Sequence, residues 1–294
     1  MPETPILIPT RYHGYRSDGG RFSLSAMADF AADCGFAGAD LSLDIYDVTD
    51  DGLPGMLYAF RERLAARGLT LPSCHLPFYM PSPDDAAAMA CFTRMQTAAL
   101  RAAARLGIRN AVIHPILRHG SRMTGVAGDP RAAWLEENVR YLTPLRELAG
   151  QLNVTLAVEN MVGVPLPEAR DETVYGSRAT HILGLAEALD CGICWDIGHA
   201  HITGDDSPAE SLLTVGDRLS VLHIHDNDGK TDSHRIPGEG TVDWEDVSRG
   251  LSYLPGARCT VLELKTSDLP ADRAVREAHA ARALCAAKSI FSGK

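Results

Sequence analysis

The stretch from His223 to Trp244 concentrates ionisable side chains in a segment that interrupts regular structure. Its sequence, HIHDNDGKTDSHRIPGEGTVDW, holds imidazoles and carboxylates at short range with glycine and proline between them. It begins as a strand and continues as a loop, because glycine and proline punctuate helices and strands. Carboxylates and imidazoles this close repel or desolvate each other unless a cation lies between them. The composition therefore predicts a loop that binds a divalent metal ion.

Further candidate ligands recur where short apolar segments end. Neighbouring members of this set lie 29 to 45 residues apart, and the set comprises His75, His114, Glu159, Asp196, His225 and Glu263. One strand–helix unit of a parallel barrel takes roughly 30–35 residues. If each segment is one strand of such a barrel, all six side chains lie at the same height. We therefore predict that they converge on a metal site.

Three more side chains could extend this site. His199 follows Asp196 by three residues, so a short turn would bring it over the same place. Asp232 and His234 are two residues apart, close enough to bind one ion together. Without a metal, the same residues would be a hydrogen-bonded histidine and a solvated acidic loop. Arg235 on this loop is a candidate for binding substrate oxygens or for pairing with Glu239.

Two histidines compete for one ligand position. His223 and His225 share a strand face, because side chains along a strand alternate with a period of two. We predict that His225, which is nearer the loop, is the ligand. His223 is the alternative, or a residue that supports a ligand from behind.

Strand-like and helix-like segments alternate along the whole chain. The predicted strands are Ile6–Ile8, Gly38–Leu43, Thr70–His75, Asn110–His114, Val154–Glu159, Gly192–Ile197, Ser220–His225 and Cys259–Leu264. The predicted helices are Leu24–Cys34, Gly55–Ala66, Asp84–Leu106, Arg131–Ala149, Ala179–Leu189, Pro208–Val215, Trp244–Leu251 and Ala271–Ala287. Helix ends are marked by Ser23, Gly68, Gly107 and Gly150.

Eight such units predict an α/β protein of the (β/α)8 TIM barrel type, with parallel strands and right-handed crossovers. A doubly wound open sheet is the alternative, but the turn after Ile8 lacks the glycine-rich phosphate-binding pattern typical of that fold. No Ser/Pro-rich linker or tandem repeat is visible, so we predict a single domain over residues 1–294.

Composition narrows the classes of partner. The 294 residues include 28 Lys and Arg against 38 Asp and Glu, a formal net charge of −10. An acidic chain without a Lys/Arg run has no field that attracts DNA or an anionic membrane. We expect no membrane association and no nucleic-acid partner, and a homo-oligomer is possible because barrel helices commonly pair.

Cysteine usage and the N-terminus bear on location. The seven cysteines are an odd number, and most lie among apolar residues, which is typical of reduced thiols in a cytoplasmic protein. Cys191 and Cys194 form a CxxC without a second pair, so we interpret them as core residues. No signal peptide or membrane span is visible in the sequence.

Four motifs together resemble a known family. VENM, WDIGHAH, HIHDNDGKTDSHRIPGEG and LELK are similar to segments of the xylose-isomerase-like barrels, which include sugar isomerases, ketose 3-epimerases and class II apurinic/apyrimidinic endonucleases. The resemblance spans roughly residues 70–265.

The resemblance to the ketose epimerases implies one set of roles. A single divalent ion would be held by Glu159, Asp196, His225 and Glu263, and the two glutamates would also exchange the substrate proton. His199 and Arg235 stand where the epimerases bind substrate oxygens.

The resemblance to the endonucleases implies a larger set. Nine ligands around three zinc ions would be His75, His114, Glu159, Asp196, His199, His225, Asp232, His234 and Glu263. All nine residue types are present. The resemblance alone therefore leaves the ion count between one and three.

Charge favours a small neutral substrate over a duplex. The nuclease activity needs phosphate neutralisation, whereas the chain is acidic overall and DLSLDIYD after the second strand is acidic as well. We predict a metal-dependent isomerase or epimerase of a ketose or keto-polyol, using Mn, Zn, Fe or Co. The ion would polarise the carbonyl, and a glutamate would remove the neighbouring proton to give an enediolate. The alternatives are a dehydratase or lyase on a keto-sugar, a multi-zinc phosphodiesterase, and a non-catalytic barrel or subunit.

Overall fold

The structure is a computed structural model that describes residues 4–13, 23–46, 48, 55–78, 80–119, 129–163, 174–204, 206–254, 259–267, 269–270 and 272–292. Its strands are β1 Ile6–Pro9, β2 Gly38–Ser42, β3 Thr70–His75, β4 Asn110–Ile113, β5 Arg118–His119, β6 Thr155–Glu159, β7 Val174–Tyr175, β8 Gly192–Asp196, β9 Leu219–Ile224 and β10 Cys259–Leu262. Eight of them close into a parallel barrel in the order β1-β10-β9-β8-β6-β4-β3-β2, and β5 pairs antiparallel with β7 outside it. The predicted TIM barrel is confirmed, and the open-sheet alternative is wrong.

Helices follow the barrel strands. They are α1 Leu24–Asp33, α2 Gly55–Ala66, α3 Ala86–Arg105, α4 Pro130–Gln151, α5 Ala179–Leu189, α6 Ile197–Thr203, α7 Pro208–Val215, α8 Trp244–Ser252 and α9 Arg273–Ser292. In the described parts of the chain, none of these helices is both long and apolar enough to cross a bilayer. The predicted start of the last helix, Ala271, lies outside the described residues.

Most predicted helix ends are confirmed, and one is wrong. The Ser23 side chain accepts a hydrogen bond from the Ala26 backbone N–H, and Gly68 and Gly107 end α2 and α3 with positive φ. Gly150, however, lies inside α4, which continues to Gln151. The reversal comes later, at Asn153, whose φ of 55° lies in the left-handed region that asparagine tolerates.

The end of β8 differs from the prediction, and the difference determines where His199 lies. Ile197, expected in the strand, instead begins α6. Asp196 is the N-cap of this helix, and its Oδ1 accepts from the His199 backbone N–H at 2.7 Å. A short helix thus brings His199 back over the strand end.

The barrel interior is apolar below and polar at one end. Its inner layer is a separate cluster of buried residues comprising Leu7, Val112, Ala157, Cys194, Val221, Cys259 and Val261. Because strand side chains alternate, the next inward residues on three of these strands are Glu159, Asp196 and His223, all at most 1% exposed. On these three strands, the inward side chains therefore change from apolar to ionisable over two residues.

A buried arginine fastens the last helix to the barrel where β1 meets β10. Arg276 on α9 is 2% exposed. Its guanidinium donates to the carbonyls of Tyr12 (3.1 Å), Pro270 (2.9 Å) and Leu269 (3.3 Å). Thr266 Oγ1 donates to the same Tyr12 carbonyl at 2.6 Å. These bonds connect the segments that follow the first and last strands.

We expect Arg276→Leu to lower the free energy of unfolding by about 1–3 kcal/mol, because several buried carbonyls lose their donor. Urea denaturation measures this change. Arg273→Leu on the same helix is the control and should have little effect, since Arg273 pairs with Asp33 and Glu277 on the exposed surface. Equal losses for both variants would contradict the fastening role.

Candidate metal centre

The predicted strand-end side chains lie together at the carboxyl end of the barrel, which is where TIM barrels carry their active sites. They come from six consecutive barrel strands, at the last residue of the strand or the first one after it. Their donor atoms form overlapping groups in which every atom lies within 4.8 Å of the others. The centre is described below as three subsites, A, B and C.

Subsite A consists of His75, His114 and Glu159. The Nε2 atoms of both histidines lie 3.1 Å from Oε2 of Glu159. His75 turns its Nδ1 to the Leu76 carbonyl at 3.1 Å, which leaves Nε2 to face the carboxylate. This second bond fixes the ring as a metal-ligating histidine is usually fixed.

Subsite B consists of the group Asp196, His223 and Glu263, together with Glu159, which contacts His223. Nδ1 of His223 lies 3.0 Å from Oε1 of Glu159 and 3.4 Å from Oε1 of Glu263. It also lies 3.9 Å from Oδ2 of Asp196. Because Glu159 turns Oε2 to subsite A and Oε1 to subsite B, its carboxylate joins the two.

The two candidate histidines at the end of β9 face different carboxylates. The register between β8 and β9 pairs Asp196 with His223, so that these two share one height. His225 lies one pleat higher, and no donor group among the described residues joins it to Glu159 or Glu263. His223 therefore lies beside Glu159 and Glu263, whereas Nε2 of His225 lies 3.1 Å from Oδ1 of Asp196. The prediction that His225 is the ligand stays a prediction, with His223 as its alternative. Sequence spacing could not decide this, because both rings point inward.

Subsite C consists of His199, His225, Asp232 and His234. Oδ2 of Asp232 lies 3.1 Å from Nε2 of His234 and 3.6 Å from Nε2 of His199. The Nδ1 atoms of these two histidines lie 2.8 Å and 3.0 Å from the carbonyls of Asn160 and Glu263. Both rings thus present Nε2 to the same carboxylate.

Nε2 of His225 lies 3.1 Å from Oδ1 of Asp196 and 3.7 Å from Oδ1 of Asp232. The His225 ring stacks on that of His234, with centroids 3.8 Å apart and planes at 16°. A ligand nitrogen directs its lone pair in the ring plane, so two nearly parallel rings do not address one ion equally well. Gly198 makes room for this stack, since a Cβ there would overlap the His225 ring.

Charge coupling shifts the pKa values of the buried carboxylates. Burial alone would raise the pKa of Glu159, but the imidazoles of His223, His114 and His75 outweigh it and hold that pKa well below its usual range. Burial would likewise raise the pKa of Asp196, whereas His199 and His225 lower it to about 2. Both groups are therefore ionised at neutral pH, in the form that a cation needs.

The pKa values of two histidines in subsite C, His199 and His234, shift in the opposite direction. Burial would lower the pKa of His199, but Asp196 and Asp232 raise it to about 10. Asp232 and Glu263 raise the pKa of His234 to about 9 against the same effect of burial. A cation bound between these imidazoles and Asp232 would therefore compete with protons.

The donor set fits divalent ions. Oδ2 of Asp196 is buried and, in the part of the chain that the structure describes, has no hydrogen-bond partner. Two ligands of one tetrahedral zinc ion lie about 3.3 Å apart when zinc–ligand bonds are about 2.0–2.1 Å. The principal donor separations, 3.0 to 3.9 Å, surround that value. Imidazole with carboxylate suits zinc, manganese, iron and cobalt.

The predicted ion pair between Arg235 and Glu239 does not form. Arg235 is exposed, and its guanidinium donates to the Glu239 carbonyl at 3.5 Å. The Glu239 carboxylate pairs instead with Arg282 of α9 at 3.1 Å, so the two side chains do not pair with each other. The role of Arg235 toward a substrate remains a prediction.

Sequence reasoning missed residues that hold the ligands. Asn160 is fully buried; its amide donates to the Asp196 carbonyl at 2.9 Å and accepts from the Asp196 N–H at 2.6 Å. Phe78 packs with ring centroids 5.1 Å from both His75 and His114. Asn160 directly follows Glu159 in VENM, so a polar residue after a buried ligand was the available signal.

Comparison with known proteins identifies the family of the chain. Residues 28–284 match the family model described as xylose isomerase-like TIM barrel. The chain belongs to this family. A protein of Methanocaldococcus jannaschii is 31% identical over 124 residues, 41% of this chain and 40% of its own length. Fructoselysine 3-epimerase of Escherichia coli O157:H7 is 28% identical over 130 residues, 43% and 44% of the two chains. The alignments thus cover less than half of these two relatives.

Solved structures of the family share the fold over nearly the whole chain. A D-tagatose 3-epimerase-like protein superimposes with a TM-score of 0.72 at 19% identity, covering 98% of this chain and 97% of its own. The IOLI protein with a bound zinc atom gives the same TM-score at 16% identity, covering 98% of each chain. At these identities the likeness establishes the fold alone.

Metal binding to subsite C should release protons and strengthen as pH rises. His199 and His234 carry protons below their pKa values of about 10 and 9, and a bound ion must displace both. Below pH 9, the logarithm of the apparent zinc affinity of this subsite should rise with a slope approaching about 2 per pH unit. Calorimetry in buffers of different ionisation enthalpy counts the protons directly. Zinc binding without proton release would contradict the assignment.

Proposed function

We propose that the protein is a divalent-metal-dependent isomerase or epimerase of a ketose or keto-polyol. The observation that carries this proposal is the placement of two carboxylates, Glu159 and Glu263, beside one imidazole nitrogen of His223. A carbonyl substrate between them would have a proton acceptor and a proton donor at hand. The similarity to fructoselysine 3-epimerase and to the solved D-tagatose 3-epimerase-like and D-psicose 3-epimerase structures supports a sugar substrate.

The two glutamates differ in how firmly they are held. Imidazoles contact both oxygens of Glu159, whose side chain is 1% exposed. Glu263 is 20% exposed at the side chain and is the more open to a substrate. Glu263 therefore takes the proton next to the carbonyl, and Glu159 returns one on the other side. His199 and Arg235 are proposed to hold substrate oxygens.

A divalent ion in subsite B would supply Lewis-acid polarisation of the substrate carbonyl. Glu159, Asp196, His223 and Glu263 would hold it there, with His225 above them. Return of the proton to the same carbon gives epimerisation, and return to its neighbour gives isomerisation. Loss of a β-hydroxyl after the same first step would make the protein a dehydratase, which uses the same residues.

The cysteines bear on the proposed cellular setting. All seven cysteines are unpaired, and four of them are buried, including Cys191 and Cys194 of the CxxC. This fits a reducing cytoplasm, and the role in carbohydrate metabolism follows from the proposed sugar substrate. The homo-oligomer stays a prediction.

The proposal predicts that Glu263→Gln and Glu159→Gln each lower turnover at least about 10²-fold, the usual contribution of general acid–base catalysis. The assay follows deuterium uptake from deuterated water into a panel of ketoses, with Mn, Co or Zn supplied. Glu239→Gln is the matched control and should keep full exchange, because its carboxylate pairs with Arg282 away from the centre. Unchanged exchange in Glu263→Gln would remove that residue from the mechanism. A metal-loaded chain that exchanges no substrate proton at all would indicate a non-catalytic barrel.

One observation favours a second candidate, a multi-zinc phosphodiesterase. All nine ligand types converge in three connected subsites, and adjacent metal ions can stabilise the attacking and leaving oxygens of a phosphate ester. The net charge of −10 opposes binding of a nucleic-acid duplex.

The second candidate predicts zinc-dependent cleavage of a duplex oligonucleotide that contains an abasic site. We expect no cleavage above the metal-free control, measured on a denaturing gel at low salt, where phosphate contacts are strongest. Cleavage that is lost in Asp232→Asn would instead establish the phosphodiesterase and displace the sugar isomerase.

A further inference from the structure

Asp226 lies next to the metal centre without belonging to it. It follows His225 directly, is fully buried, and would be mistaken for a ligand in HIHDND. Its Oδ1 accepts from the N–H groups of Asn227 (2.8 Å) and Val242 (3.1 Å). Its Oδ2 accepts from the Gly238 N–H (2.7 Å) and from Nε1 of Trp244 (2.8 Å). Each oxygen thus accepts two hydrogen bonds, and neither has a lone pair left for a metal ion.

The four donors come from the two ends of one loop. Asp226 and Asn227 stand at its start, whereas Gly238, Val242 and Trp244 stand at its end. Gly240 is required for this closure, since a Cβ there would overlap Asp226 and Asn227. The backbones of Asp226 and Arg235 also exchange two hydrogen bonds of 2.8 Å. The carboxylate therefore ties the loop into a closed unit that carries Asp232 and His234.

The loop holds His234 in a conformation that costs energy. Its φ of 45° lies in the left-handed region, which is unfavourable for residues other than glycine. On one side it adjoins Arg235, which is bound to Asp226. On the other side its carbonyl accepts from the Lys265 N–H at 3.0 Å, and its Nδ1 faces the Glu263 carbonyl at 3.0 Å. Such a residue keeps its place only when its neighbours overdetermine it.

We propose that Asp226 is a positioning residue that fixes Asp232 and His234 for metal binding at subsite C before an ion arrives. A buried carboxylate whose two oxygens accept from four N–H donors keeps its geometry without a metal. The subsite then needs no reordering of the loop when the ion binds, and the entropy cost of binding falls. This inference rests on the metal dependence of the proposed function, though not on the identity of the substrate.

The test compares two buried aspartates by Asp226→Asn and Asp246→Asn. Asp246 is the matched control, because it is also a buried aspartate, with 4% of the residue exposed. Its carboxylate accepts from the Ala209 N–H at 2.8 Å and pairs with Arg249, outside the metal centre. An asparagine at 226 cannot accept four donors, since its amide nitrogen is itself a donor. Zinc affinity of subsite C is measured by competition with a chromophoric chelator, and bound zinc per chain by elemental analysis.

We expect Asp226→Asn to weaken zinc at subsite C about 10- to 100-fold, as is typical for residues that orient ligands. The other two subsites should keep their affinity, so that one ion per chain is lost selectively. Asp246→Asn should leave every zinc affinity unchanged, even if its thermal stability falls. Equal zinc affinities in wild type and Asp226→Asn, or parallel loss at all three subsites, would overturn the proposal.

A milder variant covers the case in which Asp226→Asn fails to fold. Trp244→Phe removes one donor to Oδ2 and leaves the carboxylate in place. It should shift the same affinity in the same direction by a smaller factor, and Co²⁺ substitution should show a changed d–d spectrum for subsite C alone. An unchanged spectrum with unchanged affinity contradicts the positioning role. Because these measurements use zinc and cobalt without substrate, they remain valid if the sugar isomerase activity is absent.

Discussion

Closing eight parallel strands into a ring brings four carboxylates and six imidazoles together at one end of the barrel. Carboxylates in such a place cannot all be ionised and close together without compensating positive charge. In the metal-free protein that charge comes from protonated histidines, as the raised pKa values of His199 and His234 indicate. Divalent cations supply the same charge with shorter contacts. The centre is therefore a site whose electrostatics are balanced only by protons or by metal.

The rest of the barrel is arranged around this constraint. Beneath the ionisable layer lies a buried apolar cluster that includes Val112, Ala157 and Val221. Above it, backbone carbonyls and amides hold the imidazoles and carboxylates in single orientations, as Asn160 holds both Asp196 and His199. The buried apolar cluster lowers the local dielectric constant and so strengthens the charge interactions above it. The hydrogen bonds around the imidazoles and carboxylates restrict the movement of these side chains.

The loop after β9 shows how an irregular segment becomes part of a rigid site. It contains glycines and a proline, yet Asp226 closes its ends and the end of β10 braces His234. A loop of this composition loses much backbone entropy when it is ordered, and the buried hydrogen bonds offset that loss. Function then rests on a segment that has little intrinsic preference for its conformation.

The sequence by itself determined the strand–helix alternation, the barrel and the convergence of ligands from six strands, because hydrophobic periodicity and strand-end position are local properties. It also determined that Glu159 and Asp196 follow buried strands, which made them ligand candidates. Only the tertiary structure decided that His223 rather than His225 faces Glu159, since the register between β8 and β9 sets which residue lies at the height of Asp196. The same holds for Asp226, whose carboxylate is satisfied by donors up to 18 residues away. Spacing along a chain fixes the face on which a side chain lies, but its height and its partners depend on how neighbouring strands and loop ends are brought together.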